Sequence, residues 1–294
     1  MSPAARLGAA IVALFLAAAA LGPRLAPRDP SRPALAENLR GPSLAHPFGQ
    51  DRLGRDILSR TLHGARVSLV VGLSTVAISL ALGTAIGLLA GFAGGWIDEV
   101  VMRAVDVLLA FPGILLAIAL SAVLGPSLGN VVLALSVIGW TGYARLVRAE
   151  TLSLRERAHV ESAVSLGAGP LRIVTLHVLP LLAGPLAVQA TFGFSAAVVA
   201  EASLSFLGLG TQPPTPSWGA MLNEGRSFLL VAPHVALFPG LAVFLTVLGI
   251  NVLGDGLRDW LDVRRPAAGS DGSMPATSGS RGSRSSSALP GPGA

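Results

Sequence analysis

Val107–Ala144 reads VLLAFPGILLAIALSAVLGPSLGNVVLALSVIGWTGYA and contains no charged residue. A helix that crosses a bilayer needs roughly 20 predominantly apolar residues, so this run is long enough for two crossings. The GPSLGN break at Gly125–Asn130 supplies the turn between them. Outward from this run, Val67–Phe92, Leu181–Ala200 and Val235–Gly254 each supply one further span. Leu7–Gly22, which follows Arg6 and is slightly short, is the sixth. The sequence therefore predicts an all-α, polytopic membrane protein with six transmembrane helices. The first span has a second reading. A short basic start, an apolar core and small residues before Pro23 also describe a cleavable signal peptide.

Composition points the same way. Of the 294 residues, 52% are hydrophobic and 13% charged, and the mean hydropathy is +0.66. Soluble domains carry about 25% charged residues. The net charge of +5 comes entirely from arginine. Loop arginines that set membrane orientation account for it, and no nucleic-acid partner is expected. The absence of cysteine excludes disulfides, thiolate metal sites and cysteine nucleophiles. His46, His63, His159, His177 and His234 are scattered without metal-ligand spacing, so neither a metal nor a cofactor is expected. There is no GxxxxGK[ST] phosphate loop either, and the chain should not hydrolyse ATP alone.

Arginines also orient the chain. Arg145, Arg148, Arg155, Arg157 and Arg172 follow the fourth span, and Arg258, Arg264 and Arg265 follow the last. Two spans separate the groups, so they share a side, which the positive-inside rule places in the cytoplasm together with both termini. Residues 24–65 then form an external segment, although Arg24–Arg66 is itself rich in arginine. Asp29, Glu37, Asp51 and Asp56 offset part of that charge. Residue ranges follow: a first transmembrane helix at 1–23, the external segment at 24–65, a core with five helices at 66–263, and a disordered cytoplasmic tail at 264–294.

Between the fourth and fifth spans lies a polar island, RERAHVESAVSLGAGPLRIVTLHVLP, at Arg155–Pro180. It reads as two short helices beside the membrane. Gly167 and Gly169 end the first, Pro170 starts the second, and Pro180 marks entry to the fifth span. Ala158, Ser162 and Ser165 fall at helical spacing, with Arg157, Glu161 and Ser165 on a neighbouring stripe. Small residues let another protein approach the backbone closely, and rim charges fix register. The alternative is an amphipathic helix lying on anionic headgroups. Elsewhere, Asp106 and Glu201 stand near span ends, within reach of water or headgroups, in interface or packing roles. Pro213, Pro214 and Pro216 make QPPTPSW (Gln212–Trp218) a rigid external loop, with Trp218 at the membrane interface. Asp255 and Asp259 are placed to pair with Arg258 or to cap helix ends.

Glu161-Ser162-Ala163, Gly167 and Leu179-Pro180 resemble the EAA loop of ABC-transporter inner-membrane permeases. Ser162 replaces an alanine of that pattern, and His177 occupies an isoleucine position where Val178 next door can supply the apolar contact. Further stretches resemble the dipeptide/oligopeptide/nickel subgroup, and within it the second permease subunit. They are HPFGQDRLGRDILSR (His46–Arg60), GARVSLVVG (Gly64–Gly72), VDVLLAFPG (Val105–Gly113), EASLSFLGLGTQPPTPSWGAMLNEGR (Glu201–Arg226) and LGDGLRDWLD (Leu253–Asp262). The likeness runs in order from about Pro47 to Val263.

The resemblance implies a multi-pass subunit of a bacterial inner membrane that forms half of a pore with a homologous second permease. Two cytoplasmic ATPase subunits would bind beneath it, and an extracytoplasmic solute-binding protein would deliver dipeptides or oligopeptides. It further implies that Arg157, His159, Glu161, Ser162, Ala163, Gly167, Leu179 and Pro180 couple the chain to an ATPase. A permease for nickel or another small solute, an ion-coupled secondary transporter and a non-transporting scaffold are the alternatives.

Overall fold

The structure, a computed structural model, describes residues 3–263. The expected tail at 264–294, with Arg264 and Arg265, lies outside the described residues. The described chain is helical, and its long helices pack side by side in one bundle. Helix α1 (Pro3–Leu25) is followed by an irregular segment and then by α2 (Ile57–Ala93), α3 (Gly95–Leu109) and α4 (Gly113–Leu124). Helix α5 (Leu128–Arg155) leads to the short α6 (Ala158–Ser165) and α7 (Pro170–Ile173), then to α8 (Leu179–Phe206). The short α9 (Trp218–Gly225) precedes the last helix, α10 (His234–Val263).

Five helical stretches are long and apolar enough to cross a membrane, and six result if the bent pair α3–α4 counts as one span. That pair departs from expectation. The uncharged run from Val107 does not begin a straight span, because the chain breaks after Leu109 and turns by 83° before α4. Pro112 explains the break: it lacks an N–H for the helix ladder and forces the residue before it out of helical geometry. Asp106 therefore sits exposed on α3. Helices α2 and α5 also outrun their apolar cores. Arg145, Arg148 and Arg155, expected in a loop, lie on α5 itself.

Close approach of backbones holds the bundle together, as packing in lipid requires where apolar surface gains nothing from leaving water. Gly83, Gly87 and Gly91 line one face of α2 against α5. A Cβ at Gly87 would lie 2.6 Å from the Ala144 carbonyl oxygen, and one at Gly91 would lie 2.8 Å from Thr151 Cβ. Helix α1 packs on α10 in the same manner. A Cβ on Gly8 would stand 2.8 Å from the Leu253 nitrogen, and Gly249 faces Ile11.

At the α5 end of this contact, Arg148 forms a bidentate pair with Asp98 of α3, at 2.5 and 2.6 Å. Arg155 donates to the Gly91 and Phe92 carbonyl oxygens, which satisfies the C-terminus of α2, and stacks over the Phe92 ring.

The opposite end carries a polar cap built from residues 26–56. Gln50 Nε2 donates to Glu37 Oε2 at 2.9 Å and to the Gly54 carbonyl oxygen at 3.0 Å. The first of these bonds holds the Glu37 carboxyl below the usual carboxylate range. Asp56 caps α2 by accepting from the Ser59 nitrogen and contacts His46 Nδ1 at 2.9 Å. Arg55 bridges Asp51 (2.7 Å) and Glu224 of α9 (2.6 Å), and Arg60 lies 3.3 Å from the same Glu224. Two arginines thus meet two carboxylates, Asp51 of the segment and Glu224 of α9.

Two further expectations fail at this end. Trp218 is not at a lipid interface: it is 2% exposed, packs at a tilt against Phe15, and donates its indole N–H to the Thr61 carbonyl oxygen at 2.9 Å. Helix α9 folds back onto α2 and carries the ring inward. Glu201 is out of reach of water, with no exposed surface, and accepts from Ser205 Oγ at 2.7 Å. Its role in packing, rather than at an interface, is what remains.

Replacing Gly87 with leucine should force α2 and α5 apart and cost about 1–3 kcal/mol or abolish folding. Gly129→Leu should be tolerated, because nothing lies within 4 Å of that position. Thermal melting of detergent-extracted protein separates the two. Glu224→Ala leaves Arg55 and Arg60 short of a partner and should cost about 3 kcal/mol by the same measurement.

Candidate functional site

The polar island occupies the end of the bundle where α5 emerges. Helix α5 stops at Arg155, Glu156 turns the chain, and Arg157 takes extended geometry as the N-cap of α6. The first helix of the island is therefore two elements, with the break at Glu156–Arg157. Helix α6 has two faces. Val160 and Ala163 point inward and are buried. Val160 joins Leu154, Ile173, Val178, Leu182 and Tyr143 in one apolar cluster. Arg157, His159, Glu161 and Ser162 point outward and are exposed.

Gly167 ends α6 for a specific reason. Its φ is +79°, a left-handed conformation that glycine adopts without a Cβ clash. The Ala168 nitrogen donates to the Ala163 carbonyl oxygen at 3.0 Å, and the Gly167 nitrogen donates to that of Val164 at 2.9 Å. This paired pattern closes the last turn and satisfies its carbonyl groups. The chain then reverses into α7.

From α7 the helix does not stop. A π-helical turn at Val174–Val178 joins α7 to α8, so residues Pro170–Phe206 form one continuous helical rod. Leu179 and Pro180 lie inside this rod rather than at its entry, and both are exposed. Proline is accommodated because the wide π turn precedes it and frees the carbonyl groups that its ring would otherwise oppose. His177 does not enter the apolar cluster. Val178 does, and fills the place that the histidine vacates. The His177 ring faces that of His159 across the loop, with centroids 6.5 Å apart.

The structure thus brings Arg157, His159, Glu161, Ser162, Ala163 and Gly167 onto one helix and its closing turn, with Leu179 and Pro180 on the neighbouring rod. It adds residues that the sequence reading missed. Val164, Leu166, Leu171 and Leu176 are large apolar side chains left exposed on the same loop, Leu166 at 89%. Their alternation with glycine and polar residues was the available signal. The loop presents a mixed apolar and charged surface on a short helix gripped from behind by the core. Such a surface can receive a push from a partner and pass it to α5 and α8. Among the described residues no cluster of three or more His, Asp or Glu side chains is arranged to hold a metal ion.

Comparison with known proteins accords with this geometry. Residues 83–265 match the family described as binding-protein-dependent transport system inner membrane component. A glutathione transport system permease protein, GsiD, from Pectobacterium atrosepticum is 53% identical over 222 residues, which is 76% of this chain and 74% of that protein. The GsiD proteins of Escherichia coli O6:K15:H31 and Shigella boydii serotype 4 are each 51% identical over 259 residues, 88% of this chain and 86% of theirs. The relatives are named as transport permeases, not as enzymes. Taken with the helical bundle and its gripped loop, these likenesses identify a multi-pass inner-membrane permease: the chain belongs to the binding-protein-dependent ABC transport family, in its dipeptide/oligopeptide/nickel group.

Proposed function

We propose that this chain is the permease half of an importer for glutathione or peptides of similar size. The single observation that carries this reading is 51% identity over 88% of the chain to permeases named for glutathione transport. In this reading the chain pairs with a homologous second permease, two ATPase subunits bind from the cytoplasm, and an extracytoplasmic solute-binding protein delivers the cargo.

Helix α6 is the coupling helix. Its outward face, Arg157, His159, Glu161 and Ser162, docks in a groove of one ATPase with Leu166 and Leu171 beside it. Closure of the ATPase pair moves α6. The buried Val160 and Ala163 transmit that motion to α5 and α8, and the bundle rocks between two packings. The α6 end is cytoplasmic, so the N-terminus is cytoplasmic as well and residues 26–56 and α9 face outward. The burial of Phe15 and Ala19 of α1 in the core cluster favours a retained first helix over a cleaved leader.

Proteoliposomes containing the two permeases and both ATPases, with the binding protein and ATP supplied, should accumulate radiolabelled glutathione. Uptake of nickel but of no peptide would reverse the cargo assignment. Uptake driven by an imposed ion gradient without ATPases would defeat the coupling assignment. Glu161→Lys should abolish uptake while membrane insertion stays normal, and the ATPases should no longer copurify. Gly167→Val should weaken coupling in the same assay, because a β-branched residue at this φ strains the turn by about 1–2 kcal/mol.

A further inference from the structure

Glu201, near the end of α8, is held by hydroxyl groups and not by a counter-charge. It has no exposed surface, and its Oε1 accepts from Ser205 Oγ at 2.7 Å. Ser217, the N-cap of α9, and Ser68 of α2 face the same carboxyl. A carboxyl has two oxygens and about four lone-pair directions, so one such group can gather several hydroxyls from different elements.

Ser205 and Ser217 are the two feet of one loop. Residues 207–216 leave α8 and return into α9. At the first foot, Ser205 Oγ also accepts from the Thr211 nitrogen at 3.3 Å and draws the departing chain back. At the second, Ser217 Oγ caps α9 by accepting from the Ala220 nitrogen at 3.3 Å. Two glycines permit the convergence. A Cβ at Gly210 would collide with Ser205 Oγ, and one at Gly219 with the Ala202 carbonyl oxygen. Gly210, Thr211, Pro216 and Ser217 are buried, whereas residues 212–215 between them are exposed. This tip is stiff. Pro213 and Pro214 fix φ, and the Thr215 nitrogen donates to the Gln212 carbonyl oxygen at 3.2 Å. A stiff tip on clamped feet has little conformational freedom to lose when a partner meets it.

On the importer reading, in which this end faces outward and a solute-binding protein delivers cargo to it, we infer that Glu201 is a positioning residue for docking of that protein. Its carboxyl ties both feet of the loop together and to α2 through Ser68. It thereby fixes where residues 212–215 meet the binding protein. Trp218, with its bond to Thr61, keeps α9 attached in the absence of the carboxyl. Loss of Glu201 therefore frees the tip without releasing the bundle.

The four-subunit transporter in proteoliposomes, with the binding protein titrated on the side of the loop, reports docking as the concentration that half-saturates ATP hydrolysis. Glu201→Ala should raise that concentration severalfold and leave the rate at saturation unchanged. Glu201→Gln should stay close to the parent, because its carboxamide oxygen accepts from Ser205 and its nitrogen donates to Ser68 or Ser217. Thr215→Trp enlarges the tip, leaves the carboxyl and its serines intact, and should also raise the half-saturating concentration. A lower saturated rate at an unchanged half-saturating concentration in Glu201→Ala would overturn the positioning role. So would a Thr215→Trp transporter that docks like the parent. Should Glu201→Ala fail to assemble, Ser205→Ala, which removes one foot bond alone, is read in the same way. A parent transporter whose ATP hydrolysis ignores the binding protein would instead defeat the importer reading, before any variant is compared.

Discussion

The contact between α2 and α5 sets the positions of the remaining parts. In lipid, helices associate through fit and not through expulsion of water, so absent side chains matter as much as present ones. Gly83, Gly87 and Gly91 recur every fourth residue and bring α5 against the α2 backbone. That approach fixes where α5 emerges. Arg155 then reaches back to the end of α2, and Arg148 reaches α3, so the exit of α5 is held from two sides. Helix α6 begins three residues later on a rigid base. A loop on a compliant base would absorb displacement instead of transmitting it.

The two ends of the bundle solve different problems. The end near α6 leaves apolar side chains and charges unpartnered on a gripped helix, which is the form of a surface awaiting a partner. The other end closes on itself. Arg55 and Arg60 find carboxylates within the fold, the loop after α8 returns through α9, and Trp218 at the start of α9 packs against α1 and α2. The positive-inside rule counts arginines in short loops, and Arg55 and Arg60 belong to a folded ion-pair network.

The sequence made most of the architecture legible because apolar length is a strong signal. The positions of five spans, the turn at Gly125–Asn130 and the end of α6 at Gly167 all follow from residue type. What escaped was long-range. The break before α4 was hidden because Pro112 sits in a run without charge, and hydropathy alone does not register a missing N–H. The extensions of α2 and α5 were hidden because their polar ends are satisfied by partners far away in sequence, as Arg148 is by Asp98. Trp218 looked like an interfacial residue because nothing local shows that α9 folds inward. At the candidate site, the substitution of His177 was visible and its consequence was partly so: Val178 takes the buried place, whereas the approach of His177 to His159 needed three dimensions.

The rod from Pro170 to Phe206 has a mechanical consequence. At 1.5 Å rise per residue its 37 residues span roughly 55 Å. Its two arms extend from the middle toward the two ends of the bundle. A tilt of about 10° around its middle displaces each end by roughly 5 Å, in opposite directions. Gln189 lies near the fulcrum, where displacement is least, while the loop and the outer cap lie at the tips, where it is greatest. A tilt of this one element thereby moves the two ends of the bundle in opposite senses.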